Sequence, residues 1–186
     1  MQFGLSEEQV LLQDSVNRFL TDNVSLEKVR QYAEDGTDKN IWQGLVELGI
    51  PALLVPEDQG GIGLTPMDAA IVSECLGYRV APGPFLGSAI MGPVALSKSQ
   101  NDYSELLGQI IEGKARIGIA FGESVGNRND ATVTVDNGKM NGKSIFAFDM
   151  EANHYLVADK SKNLYLIDAQ DAGLERKELV TVDKSR

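Results

Sequence analysis

A change of hydrophobic period near Ala115 most constrains this chain of 186 residues. Before it, apolar residues recur at three-to-four spacing between helix-stop signals. After it, short β-branched and aromatic runs alternate with turn residues. The pattern predicts an α-plus-β, multidomain chain: an all-α helical domain over residues 1–114, then a small antiparallel β-sheet or partial barrel over 115–186. With 42% hydrophobic residues the chain can build a real core.

Local punctuation places the helices. Ser6 and Gln9 form a capping box, with Leu5 and Val10 at staple positions, so a helix is expected over 6–23 with Val10, Leu12, Val16, Phe19 and Leu20 on its apolar face. A second, over 25–35, would pack Leu26, Val29 and Ala33. A third, over 40–48, would bury Ile41, Trp42, Leu45 and Leu48 and stop at Gly49. Thr65-Pro66 with Asp68 opens another that ends near Gly77, and residues 85–97 and 102–112 give two more. Strands are expected at 117–121, 131–135, 144–148, 155–158, 164–167 and 178–182. Asn137-Gly138 carries the hairpin signal, and Asn141-Gly142 and Ala172-Gly173 mark further turns.

Charge and composition exclude several functions. With 17 Lys and Arg against 27 Asp and Glu, the net charge of −10 repels phosphate backbones and anionic lipid alike, so neither nucleic acid nor a membrane is an expected partner. No apolar run approaches the ~18 residues of a membrane helix, and Glu7, Glu8 and Asp14 stand where a signal peptide is basic and then apolar. A soluble, cytoplasmic chain is expected. Cys75 and His154 are the only residues of their kinds, which excludes disulfide frameworks and zinc clusters.

The individual candidates are weak taken one at a time. Gly60, Gly61 and Gly63 lack a nearby cation and the strand-to-helix setting of a phosphate cradle, so they read as a turn. Glu57 and Asp58 beside them read as solvated. His154 reads as a surface or satisfied histidine, and Cys75 as packing. Residues 123–130 form a polar loop between two expected strands, longer than a hairpin needs, where Arg128 can pair with a phosphate. Phe121, Phe146 and Phe148 offer apolar walls to a planar ring or simply fill a core.

The order of these features resembles the acyl-CoA dehydrogenase flavoproteins. The residues that carry the likeness are Leu48-Gly49-Ile50, Val55-Pro56-Glu57 with Gly60-Gly61 and Gly63-Leu64, and Glu74 with Leu76-Gly77. They continue with Gly113-Lys114, Ile119-Ala120 with Glu123, Asn141-Gly142-Lys143, Tyr155-Leu156-Val157-Ala158, and Asp183 with Arg186. The resemblance implies the family's N-terminal helical domain, most of its middle β domain and none of its C-terminal helical bundle. It also implies FAD as cofactor and an acyl-CoA thioester as substrate, oxidised to the 2,3-enoyl-CoA. A carboxylate takes the α-proton while the flavin accepts a hydride from the β-carbon.

The family's catalytic glutamate belongs to the bundle, so its counterpart lies beyond Arg186, and the isolated chain is expected to be inactive. The resemblance assigns Phe121, Gly122, Glu123, Phe146 and Phe148 to the cofactor and Gly126 to the substrate, and Arg128, from the reading of the polar loop, is the other substrate candidate. Two departures stand out: Gly122 and Phe148 occupy positions where the family has a hydroxyl side chain. An unsatisfied polar edge on a buried flavin costs on the order of 1–3 kcal/mol. The expected partners are a second copy of the chain or a second dehydrogenase subunit, because an incomplete β domain leaves an unpaired strand edge and apolar faces. Two further readings remain open: a non-catalytic partner subunit or remnant of a heteromeric dehydrogenase, and an unrelated helical binding module.

Overall fold

The computed structural model describes residues 4–35, 39–121 and 132–179. Its helices are α1 (Glu7–Asn23), α2 (Leu26–Asp35), α3 (Lys39–Glu47), α4 (Pro66–Tyr78), α5 (Gly92–Ser97) and α6 (Ser104–Ile111). The strands are β1 (Ile117–Ala120), β2 (Val133–Asp136), β3 (Lys139–Gly142), β4 (His154–Ala158) and β5 (Leu164–Asp168). The α-plus-β order is the expected one. Among the described residues, no helix is long and apolar enough to cross a membrane.

Both reciprocal bonds of the Ser6–Gln9 capping box are present. α1 packs on α4 around a core that includes Val16, Leu20, Ile41, Trp42, Leu45 and Val72. Three residues expected on apolar faces are exposed instead, Val10 at 42%, Leu26 at 70% and Leu48 at 37%. Leu26 and Leu48 sit at helix ends, past the stripe that meets the core, and Val10 lies in the first turn of α1. Tyr32 takes the buried place on α2.

The expected single helix over 85–97 is two pieces, a π-helical turn (Leu86–Met91) followed by α5. Pro93 has no amide to donate to the carbonyl four residues back, and its ring crowds that carbonyl. The wider turn ahead of it, closed by Gly92 N–H to the Gly87 carbonyl, accommodates both effects.

The start of α4 links the two longest helices. Thr65 donates its backbone N–H (2.8 Å) and its hydroxyl (2.6 Å) to Asp68 Oδ2, and Gln9 Nε2 of α1 donates to Asp68 Oδ1 (3.0 Å). The Thr65 hydroxyl, against the opposing effect of burial and with help from the Thr65 amide and Gln9, holds this carboxyl below its ordinary range. Asp68→Ala is therefore expected to lower stability in urea unfolding at neutral pH by about 1–2 kcal/mol. Because the folded-state pKa is the lower one, Asp68 stabilises above the ordinary carboxylate range, and this contribution fades as pH falls through the depressed value. The gap between variant and wild type should narrow in acid. A gap that stays constant with pH would contradict this account.

β1, β4 and β5 form one sheet in that order, and β2 pairs with β3 in a separate hairpin. The hairpin turn is Asn137-Gly138, with φ of 49° and 74°, as a type I′ turn requires. Asn141 and Gly142, read as a turn, instead end β3.

The sheet is not antiparallel throughout. β4 pairs antiparallel with β5 but parallel with β1, which the intervening β2–β3 hairpin permits by supplying the crossover that a parallel pair needs. The strand expected over 144–148 reduces to one bridge between Phe148 and Ile119, since Phe146 at φ 58° breaks the extended course. Glu178 and Leu179 lie outside any strand, and the rest of that expected strand is outside the described residues.

Candidate functional site

The packing beside β1 depends on a glycine within the strand. Gly118 leaves room for the Tyr155 ring and for the Phe148 carbonyl, which would lie 2.8 Å from any Cβ there. Phe148 can therefore lie alongside β1, donating its amide to the Ile119 carbonyl at 2.9 Å and accepting the Ile119 amide at 3.4 Å. The antiparallel sense of that bridge runs the preceding residues toward the Phe121 end of β1. Phe121 is partly buried against the core beneath the sheet. Phe146 and Phe148 are 54% and 47% exposed. The edge is an open aromatic face.

Behind this edge lies an ion-pair network that the sequence reading did not single out. Arg116, just before β1, grips both oxygens of Asp149 through Nε (2.8 Å) and Nη2 (2.7 Å) and reaches Glu151 through Nη1 (3.0 Å). The Arg116 amide donates to Asn153 Oδ1, and its carbonyl accepts the Asn153 amide. The Asp149 side chain is only 7% exposed. Burial pushes its carboxyl upward against the pull of Arg116. Among the described residues, Asp149 and Glu151 near the aromatic edge both pair with Arg116.

Of the sequence candidates for the cofactor, Phe146 and Phe148 share this edge and Phe121 lies at the end of the adjoining strand. Gly122, Glu123, Gly126 and Arg128 lie outside the described residues. Glu57 and Asp58 are exposed, in a short 3₁₀ turn. The amides of Gly61, Ile62, Gly63 and Leu64 bond to carbonyls of residues 52–56, which leaves them no role as a phosphate cradle. Cys75 is buried, and burial first, then Glu74, pushes its thiol up, so it is a poor nucleophile and packs as expected.

His154 opens β4 and lines two cavities, one of about 380 Å³ beside residues 150–153 and one of about 490 Å³ beside the start of α6. Neither cavity is lined by Phe121, Phe146 or Phe148.

A flavin needs an apolar wall for its ring and hydrogen-bond donors for its carbonyl and N5 edge. Phe146 and Phe148 supply aromatic surface. Neither they nor Phe121 carries a side-chain donor, so these described residues do not fit a complete flavin site by themselves.

The fold is similar to that of several solved structures. It matches the ChsE4–ChsE5 complex from Mycobacterium tuberculosis at TM-score 0.79 and 22% identity, over 97% of this chain and 52% of that one. It matches the FAD complex of PigA at TM-score 0.77 and 21% identity, over 97% and 52%. At such identities the likeness is one of fold. Residues 6–114 match the acyl-CoA dehydrogenase N-terminal domain, more than half of the chain, and the chain belongs to that family. It is 38% identical over 117 residues to the acyl-CoA dehydrogenase IpdE2 of Mycolicibacterium smegmatis, a stretch covering 61% of this chain and 36% of that protein. The chain spans about half the length of the solved structures that it matches.

Proposed function

We propose that this chain is the helical and partial β region of an FAD-dependent acyl-CoA dehydrogenase that desaturates an acyl-CoA thioester between its α and β carbons. The proton-accepting carboxylate comes from sequence or a polypeptide outside residues 1–186, and the polar part of the flavin site from groups other than Phe121, Phe146 and Phe148. The observation that carries this reading is the family match over 6–114, followed at once by a strand that brings Phe121 and Phe148 to one edge of the sheet. The pairing of Asp149 and Glu151 with Arg116 agrees with a base supplied from elsewhere.

A second reading, a non-catalytic partner subunit within a heteromeric dehydrogenase, is favoured by one observation. Phe148, half exposed, puts a bulky ring where the resemblance calls for a hydroxyl. Either way, a second copy of the chain or a second dehydrogenase subunit is the proposed partner.

The test compares two preparations, the assembly purified from its native source and the isolated 186-residue chain supplied with FAD, an acyl-CoA series and an artificial electron acceptor. The native assembly is expected to show flavin absorbance and to oxidise acyl-CoA. The isolated chain is expected to show no turnover. Turnover by the isolated chain, or a native assembly without flavin, would overturn the reading.

A further inference from the structure

The segment carrying the aromatic edge turns left-handed at two places. Phe146 has φ 58°, a value its side chain resists, and Asp149 has φ 69°, which aspartate tolerates better than most residues. A strained φ such as that of Phe146 persists only where the surroundings over-determine it. Around Asp149 those surroundings are explicit. Arg116, ahead of β1, holds its carboxylate with two bonds, and the Glu151 amide donates to Oδ1 at 3.0 Å. Tyr155, on β4, donates its hydroxyl to the Asp149 carbonyl at 2.7 Å. One residue on, Arg176 donates to the Met150 carbonyl at 2.9 Å. Asp149 is thus fastened by its side chain to the start of one strand and by its main chain to the neighbouring strand, and Phe148 precedes it directly.

We propose that Arg116 is a positioning residue of the candidate site: its two-pronged grip on Asp149, with Glu151 as a third contact, fixes the turn after Phe148 and so sets the direction in which Phe146 and Phe148 are presented. The chemistry requires arginine, because a planar guanidinium can satisfy both oxygens of one carboxylate and still reach another, whereas a lysine ammonium is a single point. The arginine side chain is only 17% exposed, so salt screens the pair little. The inference rests on the proposal above only in taking this edge as part of the site.

The experiment uses the full chain labelled with 4-fluorophenylalanine and read by fluorine NMR, the edge resonances being assigned by single Phe→Leu replacement. In Arg116→Met, the Phe146 and Phe148 lines are expected to shift toward the unfolded-chain position, while those of Phe19 and Phe85 in the helical core stay in place. Asp149→Asn provides the second measurement. Asparagine tolerates left-handed φ and keeps the main-chain contact with Tyr155, so the same shift there isolates the lost ion pair. If Arg116→Met fails to fold, Asp149→Asn decides. Unmoved edge lines, or all phenylalanine lines moving together, in Asp149→Asn would overturn the proposal. Because no flavin enters this readout, its failure and the failure of the functional reading are distinguishable.

Discussion

Replacing Gly87 by alanine is expected to destabilise the protein by about 3 kcal/mol, although the same exchange inside an ordinary helix gains about 1 kcal/mol. The sign reverses because of what the π-helical turn touches. A Cβ at Gly87 would run into the Ile117 carbonyl oxygen, backbone that cannot swing away as a flexible side chain can. The next residue, Ser88, is fully buried, and its Oγ accepts the Ile117 amide at 3.0 Å. Pushing the turn off β1 therefore loses this bond and leaves a buried amide without its partner, a cost that adds to the steric one. Gly92 is held in the same way, with the Gly87 carbonyl 2.6 Å and Ile117 Cβ 2.9 Å from where its own Cβ would fall. The urea midpoints of Gly87→Ala and wild type check the expectation. An unchanged midpoint would mean that β1 can slide away from the turn at little cost, and that the close approach does not seat the strand.

What the sequence revealed and what it hid divide by range. The Ser6–Gln9 box, the Thr65-Pro66 start, Gly49 with φ 77° and the Asn137-Gly138 turn are all written within four residues of chain, so side-chain chemistry and φ preference suffice to read them. The parallel pairing of β1 with β4 has no such local mark. Alternation specifies which face of a strand is buried but not which neighbour it takes or in which sense. The Arg116–Asp149 pair spans 33 residues and joins two residue types that are usually solvated, so nothing nearby distinguishes them from surface charges. Phe146 and Phe148 were legible as candidates through their aromatic character. The φ at Phe146 ends the expected strand, and a phenylalanine gives no warning of a left-handed backbone.

Ile117→Ala is expected to cost about 3 kcal/mol and to leave a cavity where the helices and the sheet meet. Ile117 has no exposed surface. It belongs to a cluster containing Val55, Leu96 of α5, Leu107 and Ile110 of α6, Ile119 and Leu156 of β4, so its side chain is shared by both halves of the chain. A residue in that place couples the helices to the sheet, because neither can open without exposing apolar surface of the other. The urea transition followed by Trp42, the single tryptophan and part of the helical core, should therefore coincide with the loss of amide-exchange protection at Tyr155 in β4. In the variant both should shift together. If instead the sheet signal fails first while the Trp42 transition stays in place, residues 1–114 and 115–186 unfold independently. The seam at Ile117 would then contribute to the stability of the sheet alone, and the aromatic edge would depend on β1 and β4 without support from the helices.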